Sequence, residues 1–441
     1  MSKDYFNDLI EKTLRLVAIN SVQDVPCSIS PFGKGVGLCL LETEKICKEF
    51  GFKTHNEEGY YVTASIGSGE EFGILGHVDT VPFDAKAWSV NPLGEIKNNI
   101  LYGRGVLDDK GPMLACLVAV KELLDLGYKP KYKIKFIFGG NEESGWKCIE
   151  RFNQKEKMPQ IGISPDADFP VINCEKGIVE ITSKIKKPSS LCKIKGGSRA
   201  NVVIGECNAV VNGILPAPKD INVSIEHSQH HTYIKALGQA AHGSTPNKGD
   251  NAFHHVLNYL AQYNSSEYLE LSKKLCHING EGLNLKLHDA VSGDLTFNVG
   301  VVKDNNDYLE IIMDIRYPIT YTKEKILEIV KSNLSQDSTI THFHDPLYVA
   351  KDDPLVECLL KAYTKVTQQK AEPITIGGGT YARALPHGVA FGPIFPDQES
   401  TIHQIDERVS LIDFEKAYNF YFEDLKLLFN YLAMSQLTVD K

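Results

Sequence analysis

Short apolar runs alternate with amphipathic stretches through roughly the first 175 residues of the chain. Tyr60–Ile66, Gly73–Gly76 and Lys133–Phe138 read as short strands. Between the second and third, Met113–Leu126 places Leu114, Leu117, Val118, Leu123 and Leu124 at helical spacing. This alternation predicts an α/β domain with a helix-covered, mostly parallel sheet. After Gly177 the character changes. Ile178–Ile185, Ile221–Ile225, Tyr233–Leu237 and Leu295–Gly300 read as antiparallel strands separated by polar turns, and Asn251–Leu260 opens a helix with Phe253, Val256, Leu257 and Leu260 on one face. Helical patterning returns at Pro354–Tyr363 and over Ile412–Ala433. The economical arrangement is one α/β domain made from residues 1–175 and 353–441, interrupted by an inserted α+β domain over residues 176–352. No repeat or low-complexity segment breaks this pattern.

Composition narrows the picture further. A length of 441 residues allows two domains, and a net charge of -9 disfavours nucleic-acid partners and supplies no polybasic membrane footprint. No apolar stretch is long enough to span a bilayer. Met1-Ser-Lys-Asp-Tyr-Phe-Asn-Asp begins an acidic amphipathic helix and lacks the apolar core of a signal peptide. The ten cysteines are scattered without a Cys-x-x-Cys, and Cys47, Cys116 and Cys358 lie among apolar neighbours in apparent helices. Free buried thiols in a reducing cytoplasm, with no structural disulfide or thiolate metal site, are the simpler expectation.

Candidate chemistry sits where the apolar runs end. His77 and Asp79 close the run Phe72-Gly-Ile-Leu-Gly-His-Val-Asp-Thr, and positions two apart on a strand share a face. Imidazole is a good zinc ligand whose tautomer a carboxylate can fix, yet such a pair equally forms a turn or a satisfied hydrogen bond. Acid groups then recur: Asp108-Asp109 in a glycine-rich turn, Glu142-Glu143 after the Lys133–Phe138 strand, and Asp166 and Asp168 in Ser-Pro-Asp-Ala-Asp. Each alone reads as a helix cap or solvated turn. Their recurrence at strand ends fits a site better, because open α/β sheets place their sites at the carboxyl ends of the strands. His403 follows far downstream, in Ser-Thr-Ile-His-Gln-Ile-Asp-Glu.

The ordered motifs Gly-His-Val-Asp, Gly-Arg-Gly-x-x-Asp-Asp-Lys-Gly, Glu-Glu-Ser-Gly and Ser-Pro-Asp-Ala-Asp resemble those of the dinuclear metallopeptidases related to aminoacylase, carnosinase and carboxypeptidase G. Within that group the chain most resembles the bacterial dipeptidase PepV branch and its Xaa-His dipeptidase relatives, over nearly its whole length. The resemblance implies a catalytic domain carrying two divalent ions, zinc first and manganese or cobalt as alternatives, and an inserted lid. It gives one ion to His77, Asp166 and a shared Asp108, and the other to Glu143, His403 and Asp108. Asp79 becomes the partner that orients His77, and Glu142 the general base for a water activated by the two metals. Three carboxylates and a hydroxide would balance the four positive charges. It also implies a cis peptide after Asp108. In the lid, His242 in Gly-Gln-Ala-Ala-His-Gly-Ser-Thr-Pro, a turn residue on spacing alone, corresponds to an oxyanion partner. Asn201, Arg316, Gly379 and Thr380 correspond to substrate contacts, with the Gly377–Arg383 segment returning from the catalytic domain. His227, His230, His231, His342 and His344 lack nearby acids and read as solvated lid surface.

The implied function is a cytoplasmic metallo-dipeptidase acting on dipeptides as a monomer, without nucleic-acid or membrane partners. An N-acyl-amino-acid deacylase or desuccinylase would use the same centre, and a catalytically inactive binding protein is the reading from another class. The second of these expects a missing ligand or base, and none of the positions is missing.

Overall fold

The computed structural model of the chain describes residues 3–263 and 265–431. These form two compact units: Met1–Asn173, Val349–Ile374 and Thr380–Lys441 compose the first, and Cys174–Tyr348 with Thr375–Gly379 the second.

The first unit is organised by a mixed sheet. Glu71–His77 lies at its centre, parallel to Lys133–Gly139 on one side and to Ile161–Ser164 on the other, with His387–Ala390 parallel to Ile161–Ser164 beyond. These strands read as near-continuous apolar runs because both faces are covered: Phe72, Ile74, Leu75, Ile134, Phe136, Ile137 and Phe138 are all fully buried. The expected parallel sheet is thus its centre. The flanks are antiparallel, with Tyr61–Ile66 against Lys133–Gly139, the hairpin strand Lys53–Glu57 outside it, and Ile172 against Ala390 on the other flank.

Helix Lys110–Asp125 packs between Lys3–Val17 and Leu411–Tyr431, and Pro354–Thr367 packs on the latter. The sequence predicts the first of these to begin at Met113. It starts three residues earlier because Pro112 falls in the first turn, where the missing N–H has no intrahelical partner to lose. Pro354 plays the same part in its helix, where the Asp353 carboxylate caps the Leu355 N–H at 2.8 Å. The last two residues of the predicted Ile412–Ala433 helix, and the first two of the N-terminal one, lie outside the described residues.

The second unit has its own core beneath an eight-stranded antiparallel sheet. Its strands run in the order Val223–His227, His231–Leu237, Glu206–Asn212, Leu191–Gly196, Thr296–Asn305, Tyr308–Tyr317, Gly177–Lys186 and Ser338–His344. Helix Ala252–Tyr263 lies on this sheet through Phe253, Val256, Leu257 and Leu260, as its apolar stripe predicts. The Gly377–Gly379 segment, expected to return from the first domain, clusters here instead, because the Ile376 carbonyl accepts the Lys176 backbone N–H and the Gly377 carbonyl accepts from the Arg316 guanidinium.

Helix Leu411–Tyr431 buries one costly group. Asp424 is fully buried, neither carboxylate oxygen has a partner among the described residues, and burial raises its pKa well above the ordinary 3.8. Burial thus favours the protonated form of Asp424 in the folded chain. Its stability contribution is fully present below pH 3.8, the unfolded value, and is lost as pH rises toward the raised folded value. Asp424→Asn should gain thermal stability relative to the native chain as pH rises from acid to neutral. A difference in Tm that stays constant with pH would show that this carboxyl does not take up a proton on folding.

Candidate metal centre

The central strand ends at His77, which is fully buried. No side chain fits at the preceding position: a Cβ on Gly76 would collide with the Asp109 carboxylate and Met113. His77 Nδ1 lies 2.9 Å from the Asp79 carbonyl oxygen. A carbonyl can only accept, so Nδ1 carries a proton, and Nε2 faces the acids. Nε2 is 2.9 Å from Asp108 Oδ1 and 3.6 Å from Asp166 Oδ2.

Asp79 departs from the strand-face expectation. Its carboxylate lies 3.5 Å from His77 Nδ1, and its oxygens accept instead the backbone N–H groups of Glu142 at 3.0 Å and Glu143 at 3.1 Å. Asp79 lies beyond the end of the strand, where two-residue alternation no longer fixes side-chain direction. The carbonyl orients the imidazole, while the carboxylate pins the turn bearing both glutamates.

Asp108 is the hub. Its Oδ1 faces His77, and its Oδ2 lies 2.7 Å from His403 Nε2, which is also 3.0 Å from Glu143 Oε1. The Asp108–Asp109 peptide is cis. Gly105 and Leu107 N–H groups donate to Glu407 Oε1 at 3.1 and 3.0 Å, and Arg104 donates to Glu407 Oε2 at 2.7 Å. Glu407, four residues after His403, thereby ties the Asp108 loop to the His403 segment. His403 itself has φ 63, a left-handed backbone unusual for a non-glycine residue.

His77, Asp108 and Glu143 form one group whose ligand atoms could hold a metal ion, and His77, Asp109 and Asp166 a second. Asp109 is the addition to the sequence reading. It is fully buried, and its Oδ2 accepts the His77 N–H at 3.3 Å. The adjacent Asp pair is its only sequence signal. Tyr381, edge-on to His77 at 6.0 Å, has no such signal.

The electrostatics are those of too many acids in one place. Burial, with Asp166, Glu143 and Asp79 adding to it, pushes Glu142 well above the carboxylate range. Burial and Asp108 raise Glu143 to about 7, against the opposing pull of His403. Asp166 rises through burial and Asp108, and Asp109 rises well above its ordinary value through burial and Asp166. Asp108 goes the other way: burial would raise it, but hydrogen bonds from His403 and His77 lower it. Burial would depress both imidazoles. Hydrogen bonds to Asp108, Asp166 and Asp79 lift His77 well above its ordinary value, and Asp108 and Glu143 lift His403 to about 11. This set of imidazole and carboxylate donors fits divalent cations.

The remaining candidates, Thr380 apart, lie in the second unit. The Asn201 carbonyl accepts the Gly243 N–H at 2.8 Å, next to His242. His242 Nδ1 accepts the Ser244 N–H at 3.2 Å, so Nε2 carries the ring proton. Arg316 turns the fork expected for a substrate carboxylate onto Asp314, with Nε and Nη2 donating at 2.8 and 2.7 Å, and its Nη1 donates to the Gly377 carbonyl at 3.0 Å. Thr380, back in the first unit, accepts the Ala382 N–H at 3.2 Å as a helix cap. His227 bonds the Leu215 carbonyl at 2.9 Å, and His342 and His344 meet edge-on with ring centres 4.8 Å apart.

Comparison with known proteins agrees with this architecture. Residues 73–426 match the model of peptidase family M20/M25/M40, and the chain belongs to that family. "Putative dipeptidase YtjP" of Bacillus subtilis strain 168 is 34% identical over 450 residues, covering 94% of this chain and 96% of that protein. A "Putative dipeptidase" of Staphylococcus epidermidis is 33% identical over 96% of this chain and 98% of its own length. Among solved structures, the di-peptidase Dug1p from Saccharomyces cerevisiae superposes with a TM-score of 0.60 at 13% identity, covering 98% of both chains. Human carnosine dipeptidase 1 does so at 0.58 and 15% identity, covering 96% of both. These likenesses concern the fold.

Asp108→Ala removes the carboxylate that faces both imidazoles. It should lose all bound divalent metal together, as read by metal analysis after dialysis. A variant that keeps a full complement of metal would refute the central role of Asp108.

Proposed function

We propose that this peptidase is a metal-dependent dipeptidase. The observation that carries the reading is the Asp108 carboxylate, one oxygen toward His77 and the other toward His403, within a buried excess of acids. In this reading His77 and Asp166 hold one divalent ion, Glu143 and His403 hold a second, and Asp108 serves both. Zinc is the first choice, and manganese and cobalt suit the same donors. When bound, such ions supply Lewis acidity toward a substrate carbonyl and acidify water.

The chain's own residues do the rest. Glu142 takes a proton from the attacking water onto a carboxylate oxygen and delivers it to the nitrogen of the leaving amine. Asp79 keeps the Glu142–Glu143 turn in place through its backbone amides. His242, protonated on Nε2, is assigned to donate to the tetrahedral oxygen. Asn201, Gly379 and Thr380 are assigned to the substrate. Arg316 is assigned to it through Gly377, whose carbonyl it holds, rather than through a bidentate grip. Dipeptides are the proposed substrates because homologues matching nearly their full length carry that name. A monomer in the cytoplasm is the proposed setting, and ten free cysteines support a reducing compartment.

The test is a panel run on chelated protein reloaded with each metal, comparing Ala-Ala and β-Ala-His with their N-acetyl forms. Free-amine dipeptides should be cleaved and the acetylated forms refused, whereas preference for the acetylated forms would make the chain a deacylase. Glu142→Ala should lower turnover by about 10²–10⁴-fold while both metals stay bound. Metal analysis finding one ion or none in that variant would make Glu142 a ligand instead.

A further inference from the structure

The turn that carries Glu142 is fixed along its backbone: the Glu142 and Glu143 amides donate to Asp79, and the Trp146 amide donates to the Asn141 carbonyl at 2.8 Å. Trp146 ends this turn with φ 62 and ψ 18. For a bulky residue that left-handed backbone is costly, and it persists only where the surroundings over-determine it. A glycine would sit there without strain. The indole explains its retention. It turns back over the preceding residues, and Nε1 donates to Glu142 Oε1 at 3.1 Å. Its ring packs edge-on against Tyr381 at 5.0 Å, and Tyr381 in turn meets His77 edge-on at 6.0 Å.

We propose that Trp146 is a positioning residue for Glu142. The indole N–H holds Oε1 and leaves Oε2 to exchange the proton, and the Tyr381 contact sets the indole by reference to His77. A glutamate has several rotatable bonds, and a donor that fixes the carboxylate before substrate arrives removes the entropy otherwise lost on reaching the reactive geometry. The proposal rests on the reading of Glu142 as the proton carrier.

Trp146→Phe keeps a ring against Tyr381 and deletes the N–H. The expected result is a fall in kcat of about 10–100-fold, the range for losing one hydrogen bond to a charged group, with KM within about twofold and both metals retained. An unchanged kcat overturns the proposal, as does parallel loss of metal, which would reduce Trp146 to packing. A second measurement does not depend on that variant folding. The chain has two tryptophans, so Trp88→Phe leaves Trp146 as the sole indole emitter, excited selectively at the red edge of its absorption. Adding Glu142→Ala should then change the Trp146 emission, because the indole N–H loses its carboxyl acceptor, and an identical spectrum overturns the contact. Full activity in Glu142→Ala would instead overturn the reading of Glu142 itself, whatever the spectrum shows.

Discussion

Negative charge crowded at the ends of buried parallel strands is the constraint on which this molecule depends. Two like charges at about 4 Å repel by roughly 4 kcal/mol at an effective dielectric of about 20. Asp79, Asp108, Asp109, Glu142, Glu143 and Asp166 gather around two imidazoles. A chain selected for stability alone would not build this. The surrounding structure is arranged to hold the acids together against their repulsion, and much of it does so through backbone amides rather than opposing side-chain charges.

Two carboxylates outside the proposed ligand set show how. Asp79 accepts two successive amides of the glutamate turn, and Glu407 accepts two amides and an arginine from the Asp108 loop. Burial and Asp108 push Glu407 up to about 7, so even this brace feels the charge it steadies. The adjacent glutamates can then divide: Glu143 reaches His403 while Glu142 bonds to the indole of Trp146. Neighbours on a regular strand would point to opposite faces, and the turn is what lets both act in one place.

The sequence displays the centre more clearly than its supports. His77, Glu143 and Asp166 stand at or just beyond the ends of apolar runs, where polar residues interrupt a strong pattern, and Asp108 stands in a glycine-rich turn. The role of the Asp79 carbonyl is invisible, since every residue has one. The Arg104–Glu407 pair joins positions 303 residues apart, and no local pattern links them. Strand Tyr308–Tyr317 is also hard to read, because its second half is buried without alternation, unlike Glu206–Asn212. Arg316 is legible as a cation but not as a residue already committed to Asp314.

The order of the chain has a consequence for how the protein matures. His77, Asp108, Glu143 and Asp166 are all synthesised before the second unit, while His403 and Glu407 follow it. The second unit has a core of its own, and domains generally fold as units during synthesis. During translation the early acids therefore wait, unbraced by Glu407, while an entire unit folds ahead of their last partner. The assigned pair of metal positions exists only once the segment that follows the second unit has left the ribosome. A ribosome stalled just beyond the second unit would leave an acid-rich fragment that lacks His403 and its brace Glu407.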